Sequence, residues 1–416
     1  MQPSDEAPAK LPPRYEPIIR LPDEVAGNGP VGLCDYQRVT RKTDRLNNDG
    51  LEAPILGLFG EIGSLLSALK KKLRDEAAFD KYDDAILEEM GDAIWYLSNI
   101  TSRANLDLSI LAQRTVRALA DWDDVQHDEV GTFGDIQGKL AEPVSERDFS
   151  DRVIVLAGQV GDLVKAFHRG EFDANRDRLS SHLVEVFRAL ISAAEAADIS
   201  LDQAVRRNLL KIFSRWPLEG TPYPPKIDAD EDKNEKFPPK ITMFIEEHTN
   251  ESGTKSFVVQ KCNKIIIGDR LTDNKTEHDD YRFHDVFHLA FAVHLGWSPV
   301  LRALFHLKRK QKPEIDENQD GARAILIEEG VATFIFSRGL ERKLLEGLDH
   351  VDYDLLKSIQ QFVRGYEVER CALWQWERAI LDGFKVFRAV KAARSGYIVA
   401  DLDNHTLDFT PGGEND

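Results

Sequence analysis

The chain has 416 residues, 42% of them hydrophobic, which suffices for two or three domains of roughly 100–200 residues with real cores. Lys+Arg of 54 against Asp+Glu of 72 leaves a formal charge of -18, which repels a nucleic-acid backbone and argues against nucleic acid as a partner. An acidic chain still accepts a polyphosphate when a divalent cation bridges its carboxylates to the phosphates. Cys34, Cys262 and Cys371 lie far apart, without metal-ligand spacing, and fit a reducing compartment. No apolar run reads as a span of roughly 20 residues and the start MQPSDEAPAKLPPRYEP lacks an apolar h-region, so the expectation is a soluble, cytoplasmic protein without a membrane partner.

Residues 1–34 are rich in Pro and charge and are predicted to form a mobile or surface-draped arm. Helical spacing then predicts Asp35 to Leu46, Ile55 to Leu73, Tyr82 to Ser102 (apolar at Ile86, Met90, Ile94 and Leu97) and Leu108 to Trp122. A second set repeats the first: Val153 to Arg169, Arg178 to Ala197, and Leu201 to Trp216. FGEIGSLLSALKK matches LAGQVGDLVKAFHR, and LEEMGDAIWYLSNI matches LVEVFRALISAAEA. The offset falls from 98 at Glu61/Gln159 to 96 at Asp92/Arg188 and 93 at Thr115/Asn208, as expected if loops differ in length while helices do not. The predicted organisation is a helical domain at 35–140 and a divergent copy at 150–217, packed as a pseudo-dimer. PLEGTPYPPKIDADEDKNEKFPPK breaks all periodicity and reads as a linker at 218–240. Beyond it, ITMFIEEH, KSFVVQKC and KIIIGDRL read as strands and the chain to about Arg394 as helices, so residues 241–416 are expected to be an α+β domain of unknown function, its small antiparallel sheet preceding a helical body.

Glu89 and Asp92 stand three apart on one helix and share a face, whereas Glu88 points roughly 100° away from Glu89. Glu61, on the preceding helix, can meet them across the bundle. Three inward carboxylates without an Arg or Lys at helical spacing are costly to bury unless a cation joins them, and oxygen-only ligands point to Mg²⁺ or Mn²⁺. The bland reading is a solvated acidic face. Gly60, Gly63 and Gly91 beside the acids favour the sharper one, because small residues admit a neighbouring helix or ligand.

GLFGEIGSLLSALKK followed by EEMGDAIWYL resembles the MazG-type nucleotide pyrophosphohydrolases of the all-α NTP pyrophosphatase superfamily, whose motif is Glu-x-x-Glu and then Glu-x-x-Asp. DYQRVTRKTDR resembles their first helix. The resemblance implies tandem all-α bundles, Mg²⁺-dependent release of pyrophosphate from a nucleoside triphosphate to leave the monophosphate, and metal ligation by Glu61, Glu89 and Asp92 as the catalytic set. Ser64 stands where the family has its second Glu. In the second copy Gln159 and Arg188 replace Glu61 and Asp92, Glu185 is kept, and Asp162 is gained. RRNLLKIFSRWP resembles the family's terminal helix, which implies that Asn208, Lys211 and Arg215 hold substrate phosphates; the first copy has Thr115 and Ala118 in two of those places. Acids survive in one copy and phosphate-holding residues in the other, as in a fused dimer with one composite site, to which Asp162 would add a metal ligand. The competing reading makes the second copy a packing partner whose basic residues cap a helix end.

RFHDVFH places His284 and His288 at metal-ligand spacing, with Asp285 beside the first and Glu328 and Glu329 as candidate further ligands. A second metal or catalytic site, a sensing pocket and plain structure all fit these residues. FHLKRKQK, the most basic run, reads as a solvated helix end or an effector contact. The leading expectation is a mainly α nucleotide pyrophosphohydrolase using Mg²⁺ or Mn²⁺, with a nucleoside triphosphate as substrate and room for homo-oligomerisation. Its rival is a nucleotide-sensing pseudoenzyme whose C-terminal domain carries a second metal-dependent or effector activity. Base and sugar preference and physiological role are not encoded in readable form.

Overall fold

The computed structural model describes residues 15–46, 49–79, 81–119, 130–137, 146–173 and 175–414, with the side chains of residues 77, 117–119, 146 and 147 excepted. Residues 1–14 of the expected N-terminal arm, the expected helix end at Trp122 and the close of the first copy near residue 140 lie outside the described residues; the rest of the arm is anchored by buried Val25 and Val31 and by Arg206, which donates to the Gly27 carbonyl at 2.8 Å. The chain is mainly helical, with one small antiparallel sheet, and divides into two compact units, Ile19–Thr221 and a second built from Pro222 onward together with residues 15–18.

In the first unit, α1 (Leu33–Thr43), α2 (Glu52–Asp75), α3 (Tyr82–Arg103) and α4 (Leu108–Leu119) are followed by a short α5 (Phe133–Ile136), then α6 (Glu146–His168), α7 (Arg176–Ala196) and α8 (Leu201–Arg215). Apolar residues at steps of three and four, Ile55, Leu58, Ile62 and Leu65 on α2 and Ile86, Met90, Ile94 and Leu97 on α3, form the faces buried in the core. By length and composition alone α2 could cross a bilayer, a point the expectation of no membrane segment passed over; here its apolar stripe packs on α3 and α6. The two copies interlock. α2 pairs with α3 and α6 with α7, α2 meets α6, and each terminal helix crosses over: α8 packs on α3 and α4 on α7.

Two glutamines set that exchange. Gln37 donates from Nε2 to the Leu106 carbonyl at 2.9 Å and accepts from the Leu108 N–H at 2.9 Å, holding the start of α4. Gln137 does the same to α8 through the Ile199 carbonyl at 2.5 Å and the Leu201 N–H at 2.8 Å. Asp35-Tyr36-Gln37 and Asp135-Ile136-Gln137 are therefore the same device written twice. A bridge between Gly32 and Thr132 and the edge-on rings of Tyr36 and Phe133 join the two devices.

The second unit has β1 (Lys240–Thr249), β2 (Ser256–Cys262), β3 (Ile265–Ile266), α9 (Asp285–Leu295), α10 (Pro299–Leu304), α11 (Pro313–Asn318), α12 (Ala322–Leu340), α13 (Tyr353–Phe362), α14 (Leu373–Ala393), β4 (Ser395–Asp401) and β5 (Thr406–Pro411). The sheet order is β3-β2-β1-β4-β5, all antiparallel, with Glu246 opposite Val259 and Met243 opposite Ile398. The expected hairpin is present, but the third strand is only two residues long and two further strands follow the helices. A left-handed Arg394 closes α14 and turns the chain into β4, which the helical reading to Arg394 did not extend to see. Every residue of α9 is buried, as befits a helix packed between α14 and strands β4 and β5. The expected linker is, from Pro222, part of this unit: buried Asp228 accepts from Arg302 Nη2 and from the Phe237 N–H, each at 2.8 Å, and the Glu235 carbonyl accepts from Arg302 Nη1 at 2.7 Å.

Candidate functional site

The α2–α3 pairing brings Glu61, Glu89 and Asp92 together, with ligand oxygens all within 4.8 Å of one another. Burial, a hydrogen bond with Glu89 and the charge of Asp92 push the Glu61 carboxyl up to about 8, and burial also raises Glu89. Three carboxyl groups held this close are costly to ionise together, a cost that a cation between them would offset.

From the other copy, α8 completes the site. Asn208 donates to Asp92 Oδ1 at 2.6 Å and Lys211 pairs with Asp92 Oδ2, while its ammonium lies 3.6 Å from Glu88 Oε1. This approach depends on Gly91, where a Cβ would overlap the Ala204 carbonyl oxygen of α8. Gly57 does the same on α2, admitting the Tyr96 ring one turn before Glu61. Gly60 and Gly63 have open space where a Cβ would stand, so of the three it is Gly91 that marks the close approach of a neighbouring helix.

Three side chains take places that spacing alone left open. The cluster has a compensating cation after all: Lys211 comes from a helix more than a hundred residues away, which spacing within α2 and α3 could not reveal. Glu88 is turned toward α8 and shares Lys211 with Asp92, four residues on; that i, i+4 relation was the available signal. Asp162 does not join the cluster, since its side chain is 58% exposed and pairs with Lys165 at 3.0 Å on its own helix. Arg215 lies one turn beyond Lys211, with its guanidinium 4.9 Å over the Trp216 ring, which Arg45 also faces at 4.5 Å. At the position equivalent to Glu89 and Asp92, the second copy holds a Glu185–Arg188 ion pair, a guanidinium in place of an acid.

The residues present fit a hard divalent cation. The donors are all oxygens, their crowding raises the Glu61 and Glu89 carboxyls in a way a cation would relieve, and Asn208 Oδ1 and the Tyr36 hydroxyl are buried without a hydrogen-bond partner; the charge of Asp92 reaches Tyr36.

In the second unit His284, Asp285 and His288 also converge within 4.8 Å. Glu328 and Glu329, expected together as further ligands, take different places: Glu328 lies behind His288 on Nδ1, and Glu329 faces Nε2 of both histidines. Burial disfavours the charged His288 ring, yet Glu328 and Glu329 outweigh it and hold its pKa well above the usual value. Burial likewise opposes ionisation of Glu329, and the two histidines outweigh it, holding that carboxyl well below its usual range. FHLKRKQK is no solvated helix end throughout, because Arg309 is buried between Asp320 and Glu367.

Residues 222–413 match the family model described as the MazG C-terminal domain, which links the chain to the MazG family. That match covers just under half of the chain and falls on the segment that sequence reasoning left without a family; it does not extend over the two helical copies. The Gene 37 protein of Mycobacterium phage L5 is similar over 73 residues at 32% identity, which is 17% of this chain and 64% of that protein, so the match spans less than two thirds of the relative's length. No solved structure matches the chain significantly.

Proposed function

We propose that the helical unit is a divalent-metal-dependent nucleoside triphosphate pyrophosphohydrolase with one composite site per chain. The observation that carries this reading is the convergence of Glu61, Glu89 and Asp92 from one copy with Asn208 and Lys211 from the other. Glu61, Glu89 and Asp92 would hold Mg²⁺ or Mn²⁺. When bound, the cation supplies charge neutralisation for the triphosphate and polarisation at the phosphorus attacked by water. Asn208 and Lys211 orient Asp92 and present donors to phosphate oxygens, which compete with Asp92 for the Lys211 ammonium. Arg215 and Arg45, flanking Trp216, extend a cationic and aromatic surface beyond Lys211 that suits the remainder of a nucleotide.

The test is pyrophosphate release from a panel of NTPs and dNTPs with and without Mg²⁺. Turnover should need the metal and fall by about 100-fold or more in Glu89→Gln/Asp92→Asn; unchanged turnover in that variant would remove the chemistry from this helix. A nucleotide-sensing role is favoured by one specific pair of observations, namely that Ser64 replaces the family's second acid and that Lys211 already engages Asp92. Its signature is Mg²⁺-dependent nucleotide binding with no pyrophosphate released.

A further inference from the structure

We propose that His284, Asp285, His288 and Glu329 form a second metal site, one for a divalent transition metal such as Zn²⁺. Both imidazoles are aimed. Nδ1 of His284 lies 2.9 Å from the Tyr281 carbonyl oxygen and Nδ1 of His288 lies 2.8 Å from Glu328 Oε1; both partners are acceptors, so each Nδ1 carries a proton and the neutral ring has its lone pair on Nε2. Glu328 is itself locked, since Oε1 also accepts from Ser298 Oγ at 2.6 Å and Oε2 from the Val300 N–H at 2.8 Å. The Tyr281 ring lies parallel to His284 at 4.2 Å and is anchored by its hydroxyl on Thr333. These are the outer contacts that fix a metal-ligating histidine.

The two Nε2 atoms face a gap. His288 is wholly buried, and its Nε2 has no hydrogen-bond partner. Around the gap, His284 Nε2 is 3.3 Å from Asp285 Oδ1 and 3.5 Å from Glu329 Oε2, and His288 Nε2 is 3.5 Å from Glu329 Oε1. Such separations are long for charge-assisted hydrogen bonds, which run to about 2.9 Å. The 3.3 Å between His284 Nε2 and Asp285 Oδ1 matches the edge of a tetrahedron with bonds of about 2.0–2.2 Å, which is about 3.3–3.6 Å, and Glu329 turns one carboxylate oxygen to each histidine, so that either oxygen can complete the set. Two nitrogens and two carboxylate oxygens select Zn²⁺ or a neighbouring first-row ion over Mg²⁺. An ion has a way in, because His284, Asp285 and Glu329 line a cleft of about 700 Å³ and the Glu329 side chain is 38% exposed.

The test uses the full chain carrying Glu89→Gln/Asp92→Asn, so that the carboxylate site is weakened and the outcome does not depend on the pyrophosphohydrolase reading. Titration with Co²⁺ should produce a saturable ligand-field spectrum in the visible that Zn²⁺ abolishes by displacement. Adding His288→Ala or Glu329→Gln should remove the spectrum, and Glu328→Gln, which loosens a positioning residue, should weaken binding by about 10- to 100-fold. Near-UV circular dichroism checks folding. If His288→Ala does not fold, the partly exposed Glu329→Gln decides alone. Absence of a Co²⁺ spectrum in the starting protein, or an unchanged spectrum in folded Glu329→Gln, would overturn the site.

Discussion

Glu61 makes the carboxylate cluster pH-sensitive in a direction that can be worked out. Its folded-state pKa, near 8, lies above the usual carboxyl value, so the metal-free folded chain binds a proton that the unfolded chain has already lost. Stability associated with that proton is present at low pH and drains away as pH rises from the ordinary carboxyl range through about 8. With Glu61 partly exposed, solvent screening limits the effect to about 1–2 kcal/mol, or several degrees in Tm. Thermal unfolding in EDTA should therefore show a lower Tm at pH 8.5 than at pH 6.5, Glu61→Gln should flatten that difference, and Mg²⁺ should raise Tm more at the higher pH. A Mg²⁺ effect independent of pH would remove Glu61 from the metal's surroundings. At Lys211, Lys211→Ala should raise KM for the nucleotide more than it lowers kcat if the ammonium holds phosphate in both ground and transition states. Steady-state kinetics across Mg²⁺ concentrations would separate this from a loss of metal.

Among the elements, α8 matters most, because among the described residues it alone carries residues from the second copy to the first copy's Glu61, Glu89 and Asp92 cluster. Gly91→Ala would press a methyl group on the Ala204 carbonyl and force α3 and α8 apart, at about 1–3 kcal/mol, the range for overpacking. Urea unfolding should show that loss, and pyrophosphate release should fall with it. The two glutamines offer a matched comparison. Gln137→Ala and Gln37→Ala each strip two hydrogen bonds from a helix start, Gln37→Ala losing a third, longer one to Ser102 Oγ at 3.2 Å, and each should cost about 1–3 kcal/mol. Only Gln137→Ala disturbs the helix that bears Asn208 and Lys211, so only it should lower turnover by more than its stability loss explains. Apolar periodicity exposed α2, α3, α7 and α8 to within a few residues, since each buries one clean stripe, and found α6 but placed its start at Val153 where the helix begins at Glu146. The Asp-x-Gln pair at Gln37 and Gln137 escaped notice: four helical residues around Gln137 are too few for a periodic signal, and the function of each glutamine lies in a partner some 60–70 residues away. Strands β4 and β5 were missed because a long helix runs straight into them, and the Asp162 expectation failed because matching positions in a repeat says nothing of what each side chain faces: Asp162 is exposed and pairs with Lys165.

For the molecule as a whole, the two units have separate cores and separate candidate sites. Calorimetry should resolve this: Glu89→Gln/Asp92→Asn should cancel the Mg²⁺-dependent shift of one transition and leave the other in place, which a single transition moving as one would contradict. Nucleotide titration should saturate at about one site per chain, because the mirror position has only the Glu185–Arg188 pair to offer. That asymmetry reaches into the protein's history. In a dimer of identical chains every substitution is made in both active sites at once, so a change useful on one side must be tolerable on the other. Fusion lifts that constraint. Under the proposed composite site, once α4 and α8 shared one chain, Ala118 and its counterpart Lys211 could drift in opposite directions, one half keeping acids and the other donors, so that a mutation would be tested at one site only.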